Sequence, residues 1–76
     1  MQTATVVRAF NNGPNIQLLC ADEKGLLSVY FEHKPYALFI RALKKAGLKL
    51  EGLLIKFNPD VVRVPALGEH SDYSTY

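Results

Sequence analysis

The sequence predicts a small, mainly β domain with one helix, in the order β-β-β-α-β-β. Five short segments rich in β-branched and aromatic residues are separated by clusters of Asn, Gly, Pro and Asp, which are typical of turns. One segment, between the third and fourth of these, has apolar residues at helical spacing. With 76 residues, we expect a single domain over 1–67 and a flexible C-terminal tail over 68–76, because GEHSDYSTY is polar and aperiodic.

The three strands before the helix are predicted from alternation. The first spans Thr3–Phe10 and has apolar groups on both faces, so its inward face is not assigned. The second spans Ile16–Ala21, and the third spans Leu26–Glu32 after an Asp22–Gly25 turn. In the third strand one alternate set should face the core, namely Leu27, Val29 and Phe31, and Leu26, Ser28 and Tyr30 should face the other way.

The helix is predicted over Lys34–Gly47. Pro35 suits its first position, and four apolar residues fall on one helical face at i, i+3, i+4 and i+7. Gly47 is placed for a left-handed residue after the helix, and Leu48 should contact Leu43 in a Schellman ending. The apolar face comprises Tyr36, Phe39, Ile40 and Leu43, whereas Lys34, Arg41, Lys44 and Lys45 form an exposed basic stripe.

Two strands are predicted after the helix. The fourth should begin with the alternating segment Leu48–Glu51, continue through a bulge or bend at Gly52 and include the apolar segment Leu53–Phe57. An Asn-Pro-Asp turn follows, and the fifth strand, Val61–Val64, should end at Pro65.

This order of elements, over residues 3 to 65, resembles the OB-fold, a five-stranded barrel with a helix between strands three and four. An SH3-like barrel, or an open antiparallel sheet with one helix packed on a face, fits the same order. The OB resemblance implies a ligand surface across strands two and three and the loops after strands one and four. It also implies a helix at the bottom of the barrel, away from that surface.

No constellation for catalysis, metal or cofactor binding is found, so we expect a non-enzymatic protein without a cofactor. The lone Cys20 excludes an intrachain disulfide and reads as a core residue. His33 and His70 show no metal-ligand spacing, and a Cys20/His33 nucleophile pair lacks a third group to orient the histidine. The glycines do not cluster into a phosphate-binding loop.

The charge distribution favours an anionic partner, although the net charge is only +2. Six basic residues and one acid lie between His33 and Lys56. A strand surface of aromatic and basic residues is predicted to bind nucleic acid, with single strands favoured because bases stack on exposed rings. Taken singly, each ring is more typical of a core position. The predicted site is Arg8, Phe10, Lys24, Tyr30, Lys56 and Arg63, with the helix residues Lys34, Arg41, Lys44 and Lys45 as a secondary basic face.

The competing hypothesis is a module for homo-oligomeric or other protein–protein interaction, including an acidic protein surface as partner. A second apolar set should lie opposite the face that packs on the helix, and a homodimer would bury it. The chain has no long apolar segment or signal-like N-terminus, so we expect a cytoplasmic protein without a membrane partner. The second apolar set is Val7, Leu19, Leu26 and Leu54.

Overall fold

The protein folds as a mainly β domain with one α-helix in the part of the chain that the computed structural model describes, residues 1–68 and 71–76. This confirms the predicted class. The elements, in order, are β1 Gln2–Asn12, β2 Asn15–Asp22, β3 Gly25–Glu32, α1 His33–Lys45, β4 Leu54–Phe57, β5 Val61–Arg63, a 3-10 turn Pro65–Leu67 and β6 Asp72–Ser74.

The six strands form one antiparallel sheet in the order β3-β2-β1-β4-β5-β6, with β3 and β6 at its edges. The sheet is not closed, so the predicted OB-like or SH3-like barrel is not confirmed, whereas the open sheet with a helix on one face is. The two edges approach at one end, where the Glu32 N–H donates to the Thr75 carbonyl over 2.8 Å. That contact joins the edges at a point and does not extend into a ladder.

A bulge in β1 explains why alternation could not assign the inward face of this strand. The register with β2 shifts between Val6 and Arg8, which leaves Val7 as the extra residue. Ala4 and Val6 are buried before the bulge, and Ala9 packs against the core after it. The inward set therefore changes from even to odd numbers within one strand.

The core lies between the inward face of the sheet and α1. Phe39 of α1 is fully buried and stacks on Phe31 of β3 with ring centroids 5.0 Å apart. It meets Tyr73 of β6 edge-on at 5.5 Å, so one helix residue contacts both edge strands. The buried hydrophobic residues are Ala4, Val6, Ile16, Leu18, Cys20, Val29, Phe31, Phe39, Leu43, Leu53, Ile55, Phe57, Val62 and Val64.

The end of α1 has the predicted Schellman geometry. Gly47 has φ of 73°, the Leu48 N–H donates to the Leu43 carbonyl at 2.9 Å, and the Gly47 N–H donates to that of Lys44 at 3.1 Å. Lys45 is the last helical residue, and the helix starts at His33 after an N-cap, Glu32, that makes no side-chain cap bond.

The predicted start of the fourth strand at Leu48–Glu51 is wrong. Residues 48–53 form turns, and β4 begins at Leu54. Leu50 accepts a hydrogen bond from the Leu53 N–H, which closes the turn, and Gly52 has φ of 86°. The Gly52 N–H then donates to the Val6 carbonyl beside the bulge in β1, so pairing with β1 begins only there.

Within the segment predicted to be a flexible tail, 68–76, β6 occupies Asp72–Ser74, and Glu69 and His70 lie outside the described residues. The alternating pattern of β6 covers too few residues to be detected in the sequence. Hydrogen bonds from Thr75, the residue after it, hold this strand in place. Thr75 is buried, its hydroxyl donates to the Pro59 carbonyl at 2.9 Å, and its N–H donates to that of Asp60 at 3.0 Å. The fifth strand ends at Arg63, one residue earlier than predicted.

Candidate nucleic-acid interface

The outer face of β1, β2 and β3, which lies opposite the core, aligns two exposed aromatic rings. Phe10 of β1 is opposite Gln17 of β2, and Gln17 is opposite Tyr30 of β3. Because neighbouring strands lie about 4.8 Å apart, the two rings flank Gln17 at a spacing of ~10 Å. We call these three residues the aromatic row.

Both rings are accessible, with Phe10 37% and Tyr30 49% exposed. The interpretation of each ring as a core residue is therefore wrong. Arg8 adds a positive charge to this row, since its guanidinium carbon lies 4.7 Å from the centroid of the Phe10 ring. Arg8 is opposite Leu19, one step along the same face. The predicted residues Arg8, Phe10 and Tyr30 thus form one cluster.

Gln17 and Ser28 belong to this surface and were absent from the predicted site. The Gln17 Nε2 donates to the Ser28 hydroxyl at 2.8 Å, a bond that directs the amide toward Ser28, the next outward residue along β3 from Tyr30. The signal was present in the sequence, because a two-residue turn at Glu23-Lys24 fixes which residues of β2 and β3 are opposite. Applying that register places Gln17 beside Tyr30.

Lys56 and Arg63 do not join the aromatic row. They are opposite each other on β4 and β5, and Lys56 is opposite Thr3, seven residues along β1 from Phe10. At ~3.3 Å per residue, this distance is on the order of 20 Å. Arg63 also forms a two-bond ion pair with Asp72, at 2.6 Å and 3.1 Å, which offsets its charge.

Lys24 lies in the turn between β2 and β3, beside two acids. Its N–H, and that of Gly25, donate to the Asp22 carboxylate at 2.8 Å and 3.1 Å. Glu23 is the next residue, so the turn as a whole carries a negative charge. Lys24 alone does not make this end of the sheet basic.

The secondary basic face of α1 lies on the other side of the molecule from the aromatic row, because α1 covers the inward face of the sheet. The helix contains no acid. Leu38 is exposed within the stripe of positive charges. The exposed cations are Lys34, Arg41, Lys44 and Lys45.

The second apolar set also lies on the outer face of the sheet. A row of residues, each opposite the next, crosses β4, β1, β2 and β3 in that order and consists of Leu54, Thr5, Ala21 and Leu26. Leu26 is 70% exposed and Leu54 47% exposed, so the ends of this row are open to solvent. Val7 is exposed at the bulge and Leu19 is half-buried.

The histidine and cysteine are not brought together. Cys20 is opposite Leu27, while His33 follows Glu32, which is opposite Asn15, so about five residues of strand, or ~17 Å, separate them. Burial raises the pKa of the Cys20 thiol to about 11, which keeps it protonated and unreactive at neutral pH. The His33 ring contacts the Gly13 carbonyl through Nε2 at 2.7 Å. His70 is outside the described residues.

Among the described residues, no group of three or more His, Cys, Asp or Glu side chains is arranged to hold a metal ion. None of the helices in these same ranges is long and apolar enough to cross a membrane. Comparison of the chain with models of known families, with curated proteins and with solved structures finds no match.

Proposed function

We propose that this protein is a non-enzymatic binding protein that takes single-stranded nucleic acid on the outer face of β1, β2 and β3. The observation that carries the proposal is the aromatic row with Arg8 beside it. Two exposed rings in one row offer stacking surfaces, and the guanidinium offers a contact for the neighbouring phosphate.

The chemistry of this surface favours a single strand over a duplex. Bases stack on a ring only when their faces are free, and each stacked base contributes ~1–3 kcal/mol. Gln17 lies between the rings with its amide bonded to Ser28, so it can offer its carbonyl oxygen to a base edge. In a duplex the bases are stacked on one another, so their faces are not available to either ring.

The electrostatic contribution should be small. Arg8 is the one cation adjacent to the aromatic row among the predicted site residues, while Lys56 is distant and Arg63 is paired with Asp72. With one phosphate neutralised by Arg8, the logarithm of the binding constant should fall with the logarithm of salt concentration at a slope of roughly −0.7. A duplex-wrapping protein would have a steeper slope.

Fluorescence anisotropy with labelled single-stranded and duplex oligonucleotides across a salt series tests this proposal. Tyr30→Ala and Phe10→Ala should each weaken single-strand binding by about 5- to 150-fold, the equivalent of one lost stack. The matched control is Lys44→Glu with Lys45→Glu on α1, which removes more positive charge but leaves the aromatic row intact. Equal losses from the ring and helix variants, or no binding at low salt, would contradict the proposal.

A second candidate function is a protein–protein interaction module that uses the second apolar set. The observation that favours it is the row ending in Leu26 and Leu54, both exposed on the outer face. Leu54→Lys would place a charge in that row without touching Phe10 or Tyr30. Loss of self-association in this variant, with unchanged oligonucleotide binding, would support this alternative.

A further inference from the structure

The outer edge of β3 carries backbone groups without a strand partner. Asp22 and Gly25 are opposite each other across a two-residue turn, so every second residue from Gly25 bonds to β2 and the residues between face the edge. Glu32 is in the edge-facing set, since its N–H donates to the Thr75 carbonyl. The others in this set are Leu26, Ser28 and Tyr30.

Over residues 25–31 this edge lacks the features that usually protect a strand from pairing, whereas at Glu32 it is covered by Thr75. The register with β2 runs from Gly25 to Glu32 without a bulge, and no Lys or Pro occurs in the strand. No Cα atom of β4, β5 or β6 lies within 8 Å of a Cα atom of β3. A groove of about 340 Å³, lined by Tyr30, Phe57 and Pro59 among others, runs beside it. The other edge strand, β6, has only three residues.

We propose that β3 pairs antiparallel with β3 of a second copy of this chain, around a two-fold axis at Ser28. Ser28 would be opposite Ser28 of the second copy, and Leu26 opposite the second copy's Tyr30. These three positions face the edge, so they exchange backbone hydrogen bonds with the partner strand. The same register brings Lys24 close to the second copy's Glu32.

The complementarity of this register favours a second copy over an unrelated strand. In this register the exposed aliphatic side chain of Leu26 lies opposite the exposed ring of Tyr30, and the cation Lys24 lies close to the acid Glu32. The two-fold axis makes each of these pairs occur twice. Opposite charges and aliphatic–aromatic pairs are the favourable cross-strand combinations. The edge is thus complementary to itself.

This inference goes beyond the proposed function and does not depend on it. Edge pairing joins two sheets side by side and leaves their outer faces open. A dimer formed through the second apolar set would instead bury those faces. Tyr30 contributes to both the aromatic row and the edge, so substitution of Tyr30 cannot separate the two proposals. Substitutions of Lys24, Glu32 and Leu54 can separate them.

Light scattering and sedimentation equilibrium across micromolar concentrations test the pairing. The expected mass is twice the 8.5 kDa of the chain. Lys24→Glu should weaken the dimer by about tenfold because it sets like charges opposite each other twice, and Lys24→Glu combined with Glu32→Lys should restore it. Leu54→Lys, at a position that is also exposed but lies on β4, should leave it unchanged.

The proposal is overturned by a monomer at every concentration, by a dimer insensitive to Lys24→Glu, by failed restoration in the double variant, or by a dimer that Leu54→Lys dissociates.

A cross-link gives an independent readout. Hydrogen-bonded pairs have Cα atoms about 5.5 Å apart, within the ~4.4–6.8 Å range of disulfides. Ser28→Cys should therefore form a covalent dimer in oxidised glutathione, and Thr5→Cys on β1 should not. Equal cross-linking in both variants also overturns it.

Discussion

Gly47 is the residue on which the direction of the chain after α1 depends. Its φ of 73° lies in the left-handed region, and a Cβ atom there would meet no other atom within 4 Å. Any cost of a side chain is therefore backbone strain alone. Gly47→Ala should lower the free energy of unfolding by ~1 kcal/mol, measured by urea denaturation.

Gly47→Asn is the matched control, because asparagine tolerates the left-handed conformation better than alanine. It should lose clearly less stability than Gly47→Ala. If the two variants lose the same amount, the loss comes from something other than backbone conformation at this position.

Cys20 gives the fold a dependence on alkaline pH. Its thiol pKa is raised to about 11 by burial from a value of 9.0 in the unfolded chain, so the unfolded state releases the proton first. The stability contributed by the neutral buried thiol is complete below pH 9 and is lost as pH rises toward 11. We expect this loss in urea midpoints measured over that range.

Cys20→Ala removes the titrating group, so it isolates this effect from tyrosine and lysine titration. The difference in unfolding free energy between the native protein and Cys20→Ala should be constant below pH 9 and should shrink above it. A difference that stays constant up to pH 11 would contradict the assigned cause.

Residue patterns predicted much of the fold where local rules apply. The inward sets of β2 and β3 and the bonds around Gly47 follow from alternation and helix-ending chemistry within a few residues. The inward face of β1 could not be predicted, because the bulge at Val7 depends on pairing with a strand elsewhere in the sequence. The pairing of Arg63 could not be predicted, since its partner Asp72 lies in β6, a strand with no sequence signal.

At the scale of elements, β6 and the residue after it join parts of the chain that are distant in sequence. Thr75 bonds to Pro59 and Asp60 in the turn between β4 and β5, and its carbonyl accepts from Glu32 at the end of β3. Tyr73 of β6 packs on Phe39 of α1. The segment expected to be a tail therefore contributes to the fold.

Thr75→Val should destabilise the protein by about 1–2 kcal/mol, because it keeps the shape of the side chain but leaves the Pro59 carbonyl without its hydroxyl donor. Thermal or urea denaturation measures the loss. The control is Ser74→Ala, an exposed neighbour, for which we expect a change within ~0.5 kcal/mol. Equal effects from the two substitutions would show that Thr75 contributes no more than a surface residue.

The position of α1 in the order of elements was predictable, but the closure of the sheet was not. The order of elements leaves a barrel and an open sheet equally possible, and the outcome depends on whether β3 pairs with the strands after the helix. In this structure a groove separates β3 from the turn between β4 and β5, which includes Asn58 and Pro59. Its width depends on sheet twist, which no single residue determines.

At the scale of the whole molecule, the two candidate surfaces for anions lie on opposite sides. The outer face of the sheet offers the Phe10 and Tyr30 rings and Arg8, whereas α1 offers four cations and no exposed Phe or Tyr. A ligand that needs stacking should choose the first surface, and one that needs only charge should choose the second. Because the core lies between the two surfaces, an experiment can distinguish binding at one surface from binding at the other.

Mapping of backbone amide shifts during titration with a single-stranded oligonucleotide shows directly whether the nucleic acid binds at the aromatic row. Binding at the aromatic row predicts that the largest shifts cluster at Arg8–Phe10, Gln17 and Ser28–Tyr30 and weaken as salt is raised. Shifts concentrated in His33–Lys45, or no shifts at low salt, would contradict it.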